Sequence, residues 1–415
     1  MASRIRGRRY RRQWRSTAYG PTAALHFGAS PSMTKIMVVC NDSDYFLRHR
    51  LPIVLGLVER GAEVTVMTGG KAIPGSVPRG WSAIHIPIDR FTVHPIRDCA
   101  LMIRSFSKIV TLKPDAIHLI TLKPAVFVGI AAVLARLPSG AAGRILITIP
   151  GLGRLMSPSA ADQSWVARAS RLLVGRVIRF LSARSGICFT FETSHDRNLW
   201  LDEGLIREDN STTISGAGVD PGRFHPGPPR QEKGPIRILF ASRLLRSKGL
   251  DVFIGVARRF SQNPNLQFLV AGMVEPHDSD GVAPRELECE GSITFLGEVA
   301  DMPKLLQSVD LVCLPTRYGE GIPRILIEAA ACGVACLGTD IEGCREIIVD
   351  GVTGYLLPAG EKAAMVETIC NAITGYLADP GLLDRHGKAG HRLFLSRDFS
   401  EEAVVGRFLA LLTDV

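Results

Sequence analysis

Short apolar runs alternate with amphipathic segments through the first half of the chain. Five of these runs have the length of a strand: residues 35–40, 63–68, 83–88, 116–121 and 144–149. Between the first two, residues 50–61 carry apolar side chains at helical spacing and end at Gly61, which predicts a helix. Strands that alternate with helices predict a parallel, doubly wound sheet.

The same alternation restarts after residues 226–235, a short stretch rich in proline and polar residues that predicts an interdomain linker. The later strand candidates are residues 236–242, 266–272, 293–297, 310–315 and 335–339. The later helix candidates are residues 250–261, 361–377 and the amphipathic segment 399–413. We therefore expect two Rossmann-like α/β domains, at 33–225 and 236–398, and a terminal helix in 399–415 that can pack back on the first domain.

Composition fits this division, because 415 residues suit two α/β domains and 46% hydrophobic content is typical of a folded globular protein. The formal charge of +9 comes largely from residues 1–32, which hold seven arginines and no acidic residue. We expect this stretch to be disordered. It can be an arm for anionic lipid or nucleic acid. We favour a mis-assigned start, since Met33 directly precedes the first strand, and expect no nucleic-acid partner.

The nine cysteines are scattered, form no CxxC pair and lie mostly in apolar runs. They are typical of reduced residues in a cytosolic protein. No apolar run reaches the roughly 18 residues that a membrane span needs, and no apolar stretch follows the arginines as a signal peptide requires.

Two glutamates flank Pro323 in the stretch EGIPRILIE. Glu320 is expected in a loop at the carboxyl end of strand 310–315, and Glu328 about two turns into the next helix. Open α/β sheets bind ligands at this edge. Gly321 would let the backbone approach a ligand. Taken alone, Glu328 fits equally an ordinary glutamate near a helix start.

A basic loop follows strand 236–242 and carries Arg243 and Lys248 before Gly249. A guanidinium and an ammonium beside a diphosphate would neutralise it as a leaving group. Arg246 can substitute for either residue. Taken alone, the loop fits a solvated basic turn as well.

Together these motifs resemble the retaining GT-B glycosyltransferases of family 4. The resemblance extends from residue 35 onward and also includes SGAGVDPGRFHP from Ser215 and TDIEGCREIIVDGVTGYLLP from Thr339. It implies two domains that face each other across a cleft. The residues that match the family's donor site are Arg243 and Lys248 for the diphosphate, Glu320 for the sugar, Gly321 and Ile322 for backbone contacts to the sugar and phosphate, and Glu328 for the ribose. Thr339, Asp340, Gly343 and Glu346 are expected to support the site.

The first half is similar to polyprenyl-diphosphate-sugar transferases that build capsule, O-antigen or exopolysaccharide units. This implies a UDP-linked donor, with an N-acetylhexosamine among the candidate sugars, and an undecaprenyl-diphosphate-linked saccharide as acceptor. The family's histidine is replaced by Ile120, while His118 is expected within its strand. Lys123 can reach the cleft instead, although it can equally be structural. His49 and Arg50 can likewise reach the cleft or merely start a helix.

Residues 165–184 combine five arginines with apolar residues at helical spacing. Such a helix can lie on an anionic bilayer or be an ordinary surface helix. The lipid-linked acceptor favours the bilayer, so we expect a cytoplasmic protein that is peripheral on the inner face of the membrane.

Other chemistries remain open. Residues 42–44 and 278–280 have the Asp-x-Asp pattern of a metal site. With Arg243 and Lys248 available for the diphosphate, we expect no metal and no cofactor. A GT-B epimerase of UDP-N-acetyl sugars shares the architecture, and an inactive scaffold with a nucleic-acid-binding arginine tail is the non-enzymatic alternative.

Overall fold

The computed structural model describes residues 34–413, except 74–79, 87, 89–94, 140–142, 152–164, 229–233, 275–277, 279, 318 and 320. The predictions for residues 1–32, for part of the linker and for Glu320 therefore lie outside the described residues.

The first sheet contains seven parallel strands. They are β1 (Lys35–Cys40), β2 (Glu63–Thr68), β3 (Trp81–His85), β4 (Ala116–Ile120), β5 (Arg144–Ile149), β6 (Ile187–Phe191) and β7 (Ser211–Thr213). Their order in the sheet is β3-β2-β1-β4-β5-β6-β7, with every pair parallel. The strand predicted at 83–88 begins earlier, at Trp81, and ends at His85, because residues 81–85 are the ones that pair with β2.

Helices connect these strands: α1 (Ser43–His49), α2 (Leu51–Glu59), α3 (Pro95–Leu112), α4 (Gly129–Ser139), α5 (Trp165–Ser182) and α6 (Ser194–Asp202). A π-helix, Pro124–Val128, leads into α4. Side chains at two strand–helix junctions cap the helices that follow. The Asp42 carboxylate accepts from the Tyr45 N–H (2.7 Å) at the start of α1, and the Thr193 hydroxyl accepts from the Asp196 N–H (3.1 Å) at the start of α6.

The second sheet contains six parallel strands. They are β8 (Ile236–Ala241), β9 (Leu266–Ala271), β10 (Thr294–Gly297), β11 (Leu311–Leu314), β12 (Ala335–Thr339) and β13 (Gly354–Leu357), in the order β10-β9-β8-β11-β12-β13. Its helices are α7 (Leu250–Arg259), α8 (Pro284–Glu288), α9 (Met302–Leu306), α10 (Arg324–Ala331), α11 (Glu342–Arg345), α12 (Lys362–Ala378) and α13 (Gly381–Ser396). Each sheet has its own apolar core. The prediction of two doubly wound parallel sheets is confirmed.

The last helix, α14 (Glu401–Thr413), packs on α2, β4 and β5 of the first sheet. Gly56 makes room for it, since a Cβ at this position would lie 2.9 Å from Val405. The Arg144 guanidinium donates to the carbonyl of Leu411 (3.0 Å), and the Phe408 ring lies 5.4 Å from the ring of His118. The chain therefore returns to the first sheet after completing the second.

Candidate functional site

The loop after β11 contacts the first domain at Gly321. A Cβ at this position would overlap the carbonyl oxygen of Pro150 and Oε2 of Glu192. Pro150 directly follows β5 and Glu192 directly follows β6. The carboxyl edges of the two sheets therefore face each other, which is the arrangement expected for a cleft between two domains.

Pro323 precedes α10 as its N-cap and lies outside the helix. Glu328 is consequently just over one turn into α10, and the expected two turns were wrong. Glu328 is 9% exposed, and its Oε1 accepts from Nε of Arg324 (2.8 Å). Burial raises the pKa of Glu328, while the charges of Arg324 and Arg223 oppose this shift.

Arg324 also crosses the cleft, because its Nη1 donates to the carbonyl oxygen of Arg48 (2.7 Å) at the end of α1. Sequence reasoning missed this residue. Its spacing from Glu328, four residues along one helix, is the signal that would have identified the pair.

The basic loop after β8 folds into a single 3₁₀ turn, Arg246–Lys248. Lys248 is buried, at 4% exposure, and Arg243 is half-buried. Arg246 instead pairs with Glu286 (3.1 Å) on the surface, with about half of its side chain exposed. The structure thus separates Arg246 from the two residues that match the family's diphosphate ligands.

The loops after β8 and β11 touch each other. Gly249 has φ +82°, in the left-handed region, and a Cβ there would overlap the carbonyl oxygen of Pro315. The N–H of Arg317 donates to the carbonyl oxygen of Ser247 (2.8 Å). Since β8 and β11 are also paired in the sheet, the segments that carry Lys248 and Glu328 leave the same sheet edge side by side.

The two Asp-x-Asp motifs have local structural contacts. Asp42 caps α1, as described above. The Asp280 carboxylate accepts from the N–H of Ser247 (2.8 Å), so it supports the basic loop. Among the residues that the structure describes, no group of three His, Cys, Asp or Glu is arranged to hold a metal ion.

His49 lies at the end of α1, close to the cleft. Burial lowers its pKa well below the usual value, and the charges of Arg324, Arg50 and Arg48 act in the same direction. This shift favours the neutral imidazole form of His49. Such a group can donate and accept a hydrogen bond without carrying charge.

Lys123 precedes the π-helix and forms an ion pair with Asp98 of α3 (3.1 Å), with 15% of its side chain exposed. His118 lies within β4 and is buried, as predicted. Its Nε2 is 2.8 Å from the Thr148 hydroxyl, which in turn is 2.7 Å from the Thr190 hydroxyl. This chain of hydrogen bonds crosses the sheet beneath α14 and does not reach the cleft surface.

The motif that begins at Thr339 is held mainly by contacts within the second domain. Thr339 is fully buried, Asp340 pairs with Arg345 (2.6 Å), and Glu346 pairs with Arg397 (3.5 Å). Its neighbour Glu342 lies 3.7 Å from His195 of α6, so this segment also reaches the first domain.

Glu192 was not predicted as a site residue from the sequence. It is 7% exposed and accepts from Nη2 of Arg50 at 2.6 Å. The backbone N–H of Ile322 also donates to it across the cleft. Burial raises the pKa of Glu192 to about 7, and Arg50 and Ile322 oppose that shift. Glu192 directly follows β6, a strand that was not predicted from the sequence, so no local signal identified it.

Comparison with known proteins finds glycosyltransferases among the sequences and structures that this chain is similar to. Residues 235–375 match the family described as Glycosyl transferases group 1. A phosphatidyl-myo-inositol mannosyltransferase of Mycobacterium tuberculosis is 29% identical over 178 residues, which are 42% of this chain and 46% of the relative. The chain thus spans about half of that relative's length. The N,N'-diacetylbacillosaminyl-diphospho-undecaprenol alpha-1,3-N-acetylgalactosaminyltransferase of Campylobacter jejuni is 27% identical over 322 residues, 74% of this chain and 80% of the relative.

Solved structures share the fold over almost the whole chain. Sucrose-phosphate synthase from Thermosynechococcus elongatus has a TM-score of 0.70 at 19% identity, covering 91% of this chain and 98% of that one. Alr3699/HepE of Anabaena, in complex with UDP and glucose, has a TM-score of 0.69 at 18% identity, covering 92% and 100%. The predicted resemblance to glycosyltransferases is confirmed: the chain has the GT-B fold, and its second domain matches the glycosyl transferases group 1 family.

Proposed function

We propose that the protein is a retaining glycosyltransferase that transfers a sugar from a UDP-linked donor to a polyprenyl-diphosphate-linked saccharide. The observation that carries the donor half is the contact between the loops after β8 and β11 at Gly249 and Pro315. Because these loops leave one sheet edge together, Lys248 and Glu328 can serve one ligand.

In this mechanism Arg243 and Lys248 hold the donor diphosphate and neutralise the charge that develops as the glycosidic bond breaks. Glu328 accepts hydrogen bonds from the ribose, with Arg324 keeping its carboxylate in place. The role of Glu320, to orient the donor sugar, rests on the family resemblance. Contact between the domains at Gly321 would exclude water, which would otherwise compete as acceptor.

The relatives support the choice of donor and acceptor. The HepE structure contains UDP and glucose, which favours UDP as the nucleotide. The Campylobacter relative is named for an undecaprenol-diphosphate-linked substrate and for N-acetylgalactosamine transfer, which favours a lipid-linked acceptor and an N-acetylhexosamine. His49 and Lys123 are the candidate contacts to this acceptor.

A lipid-linked acceptor requires access to a bilayer, and one face of the first domain suits that task. Its helices α3, α4 and α5 lie side by side. They expose large apolar side chains: Ile96, Ile103, Phe106, Val110, Leu134, Trp165, Leu172, Leu173 and Phe180. Exposed basic residues lie among them, including Arg104, Lys108, Arg168 and Arg176.

These three helices contain a single acidic residue, Asp98, which is buried and paired with Lys123. A basic and apolar surface of this kind fits an anionic bilayer. Among the described residues, no helix combines the length and apolar character needed to cross a membrane. From the basic and apolar surface we propose that the protein lies peripherally on the inner face of the cell membrane.

Transfer is tested by incubating the full chain with UDP-glucose, UDP-N-acetylglucosamine or UDP-N-acetylgalactosamine and bacterial lipid-linked saccharides. Mass spectrometry should show an acceptor that is heavier by one sugar, and NMR should show that the α-configuration of the donor is kept. An inverted product would overturn retention. Interconversion of donor sugars in reactions without acceptor would favour the epimerase instead.

Membrane contact is tested by sedimentation with vesicles of phosphatidylglycerol or of phosphatidylcholine. Binding should require the anionic lipid and should weaken in Leu172→Ser/Leu173→Ser and in Ile103→Ser. Leu395→Ser is the matched control, because Leu395 is 59% exposed on α13 of the second domain. If Leu395→Ser lost as much vesicle binding, or if the protein bound both lipids equally, the proposal that this face docks on the membrane would be contradicted.

A further inference from the structure

Arg50 is a completely buried cation between α1 and α2. Its Nη2 donates to Glu192 Oε1 (2.6 Å) and to the Tyr45 hydroxyl (3.2 Å). The guanidinium lies 5.6 Å from the ring centre of Phe408, while Nε and Nη1 have no hydrogen-bond partner among the described residues. A buried ion costs several kcal/mol in lost solvation. This arrangement is therefore poorly explained by stability alone.

Glu192 joins this buried cation to the second domain. One carboxylate oxygen, Oε1, accepts from Arg50, and Oε2 lies directly against the backbone of Gly321. The carboxylate also accepts from the N–H of Ile322. The loop between β11 and α10 is therefore anchored to the first domain at this point.

We propose that Glu192, held by Arg50, is a positioning residue that fixes the Gly321–Ile322 backbone in the geometry needed for sugar transfer. This inference rests on the proposed function, since the same backbone is the segment that matches the family's sugar contacts. Arg50 orients the Glu192 carboxylate, and the carboxylate orients the Ile322 amide. The position of this amide fixes the conformation of the turn before α10. Glu192 acts on the donor through this loop.

The proposal predicts a separation between turnover and nucleotide affinity. The side-chain contacts to UDP are assigned to Arg243, Lys248 and Glu328, and Glu192 contacts none of these three in the described structure. Glu192→Ala should therefore lower kcat by about 10- to 100-fold, the loss expected when reacting groups are misplaced. The Kd of UDP should change by no more than about twofold. Loss of a direct contact to the nucleotide would change the Kd by more than this.

Conservative and double variants separate positioning from folding. Glu192→Gln keeps an oxygen that can accept from the Ile322 amide and should recover part of the lost kcat. Arg50→Met should lower kcat as Glu192→Ala does. The double variant Arg50→Met/Glu192→Gln should have a kcat only slightly below that of Arg50→Met, because the effects of substituting residues that act as one unit are not additive. Asn210→Ala is the stability control, since among the described residues the buried Asn210 side chain bonds Ser182 and Arg207 at the end of α5.

Hydrogen exchange at the Ile322 amide supplies a readout that does not depend on transfer. Exchange should be faster in Glu192→Ala and unchanged in Asn210→Ala. Unchanged exchange, or a kcat equal to that of Asn210→Ala at matched stability, would overturn the positioning role. If the unmodified chain transferred no sugar while exchange responded as expected, the proposed function would fail and the anchoring contact would stand.

Discussion

Arg246 and Lys248 begin and end the same 3₁₀ turn but occupy opposite environments. Arg246 pairs with Glu286 at the surface and is about half exposed, whereas Lys248 is 4% exposed. The turn is fixed from outside by Asp280 and Arg317, which bond the backbone of Ser247. The loop therefore directs one cation outward and one inward, and the two can be tested against each other.

Lys248→Ala should lower kcat by about 100-fold or more, because a hydrogen-bond donor aimed at developing charge contributes about 3–4 kcal/mol. Arg246→Ala should leave kcat within about twofold, since an exposed ion pair contributes about 1 kcal/mol or less. Steady-state transfer kinetics, together with thermal unfolding, check both variants. Equal effects of the two substitutions would contradict the assignment of Lys248 to the diphosphate.

Glu328→Ala should raise the Kd of UDP about tenfold or more, since a hydrogen bond to a charged group contributes about 1.5–3 kcal/mol. Isothermal titration calorimetry with UDP measures this directly. Glu298→Ala is the control for contact between the domains, because Glu298 pairs with Arg48 across the cleft at 3.5 Å and is 58% exposed. A similar loss of UDP affinity in both variants would assign the effect to weakened contact between the domains rather than to the ribose.

The sequence predicted those elements whose pattern of apolar and polar residues lies within one short segment. The strands at 35–40, 63–68, 144–149 and 335–339 agree with the structure to the residue, since each is an apolar run bounded by polar or turn residues. Strands β6, β7 and β13 were not predicted. They are only three to five residues long, and they include polar or mixed residues such as Thr190, Ser211 and Tyr355, so their apolar signal is weaker.

In the candidate site, too, some residues have a signal within one short segment and others do not. In the basic loop and in the stretch from Gly321 to Glu328, the characteristic residues lie a few positions apart in one segment, so both could be predicted from the sequence. Arg50 and Glu192 become meaningful only through contacts with each other and with Ile322, which are distant in sequence. A periodicity within one segment carries no information about such a contact, and only the fold brings these residues together.

Gly321→Ala should impair transfer strongly while changing thermal stability little. The added methyl would overlap Pro150 and Glu192, which belong to the other domain, so opening of the cleft relieves the overlap without unfolding either core. Small-angle X-ray scattering should show a larger radius of gyration, and kcat should fall by about tenfold or more, as for other misplaced reacting groups. Gly360→Ala is the control, because no atom lies within 4 Å of a Cβ built there. A compact, fully active Gly321→Ala protein would contradict this reading of the contact.

His118 should make the stability of the protein depend on pH. Burial, with a smaller contribution from the charge of Arg50, lowers the pKa of His118 to about 3, whereas an unfolded histidine has a pKa of about 6.5. Between these values the unfolded chain binds a proton that the folded chain does not bind. This contribution to the free energy of unfolding is therefore fully present above pH 6.5 and is lost as the pH falls, by about 1.4 kcal/mol per pH unit.

The variant His118→Gln removes this titration while keeping a side chain that can hydrogen-bond Thr148. Burial raises the pKa values of Glu192 and Asp196 to about 7 and about 6, which stabilises the folded state at low pH and opposes the histidine. Both groups remain in the variant, so the difference between the two proteins isolates His118. Urea unfolding at pH 4.5, 5.5 and 6.5 should show that the free energy of unfolding falls more steeply with decreasing pH in the unmodified protein. Parallel pH dependences would show that His118 is not held neutral in the folded state.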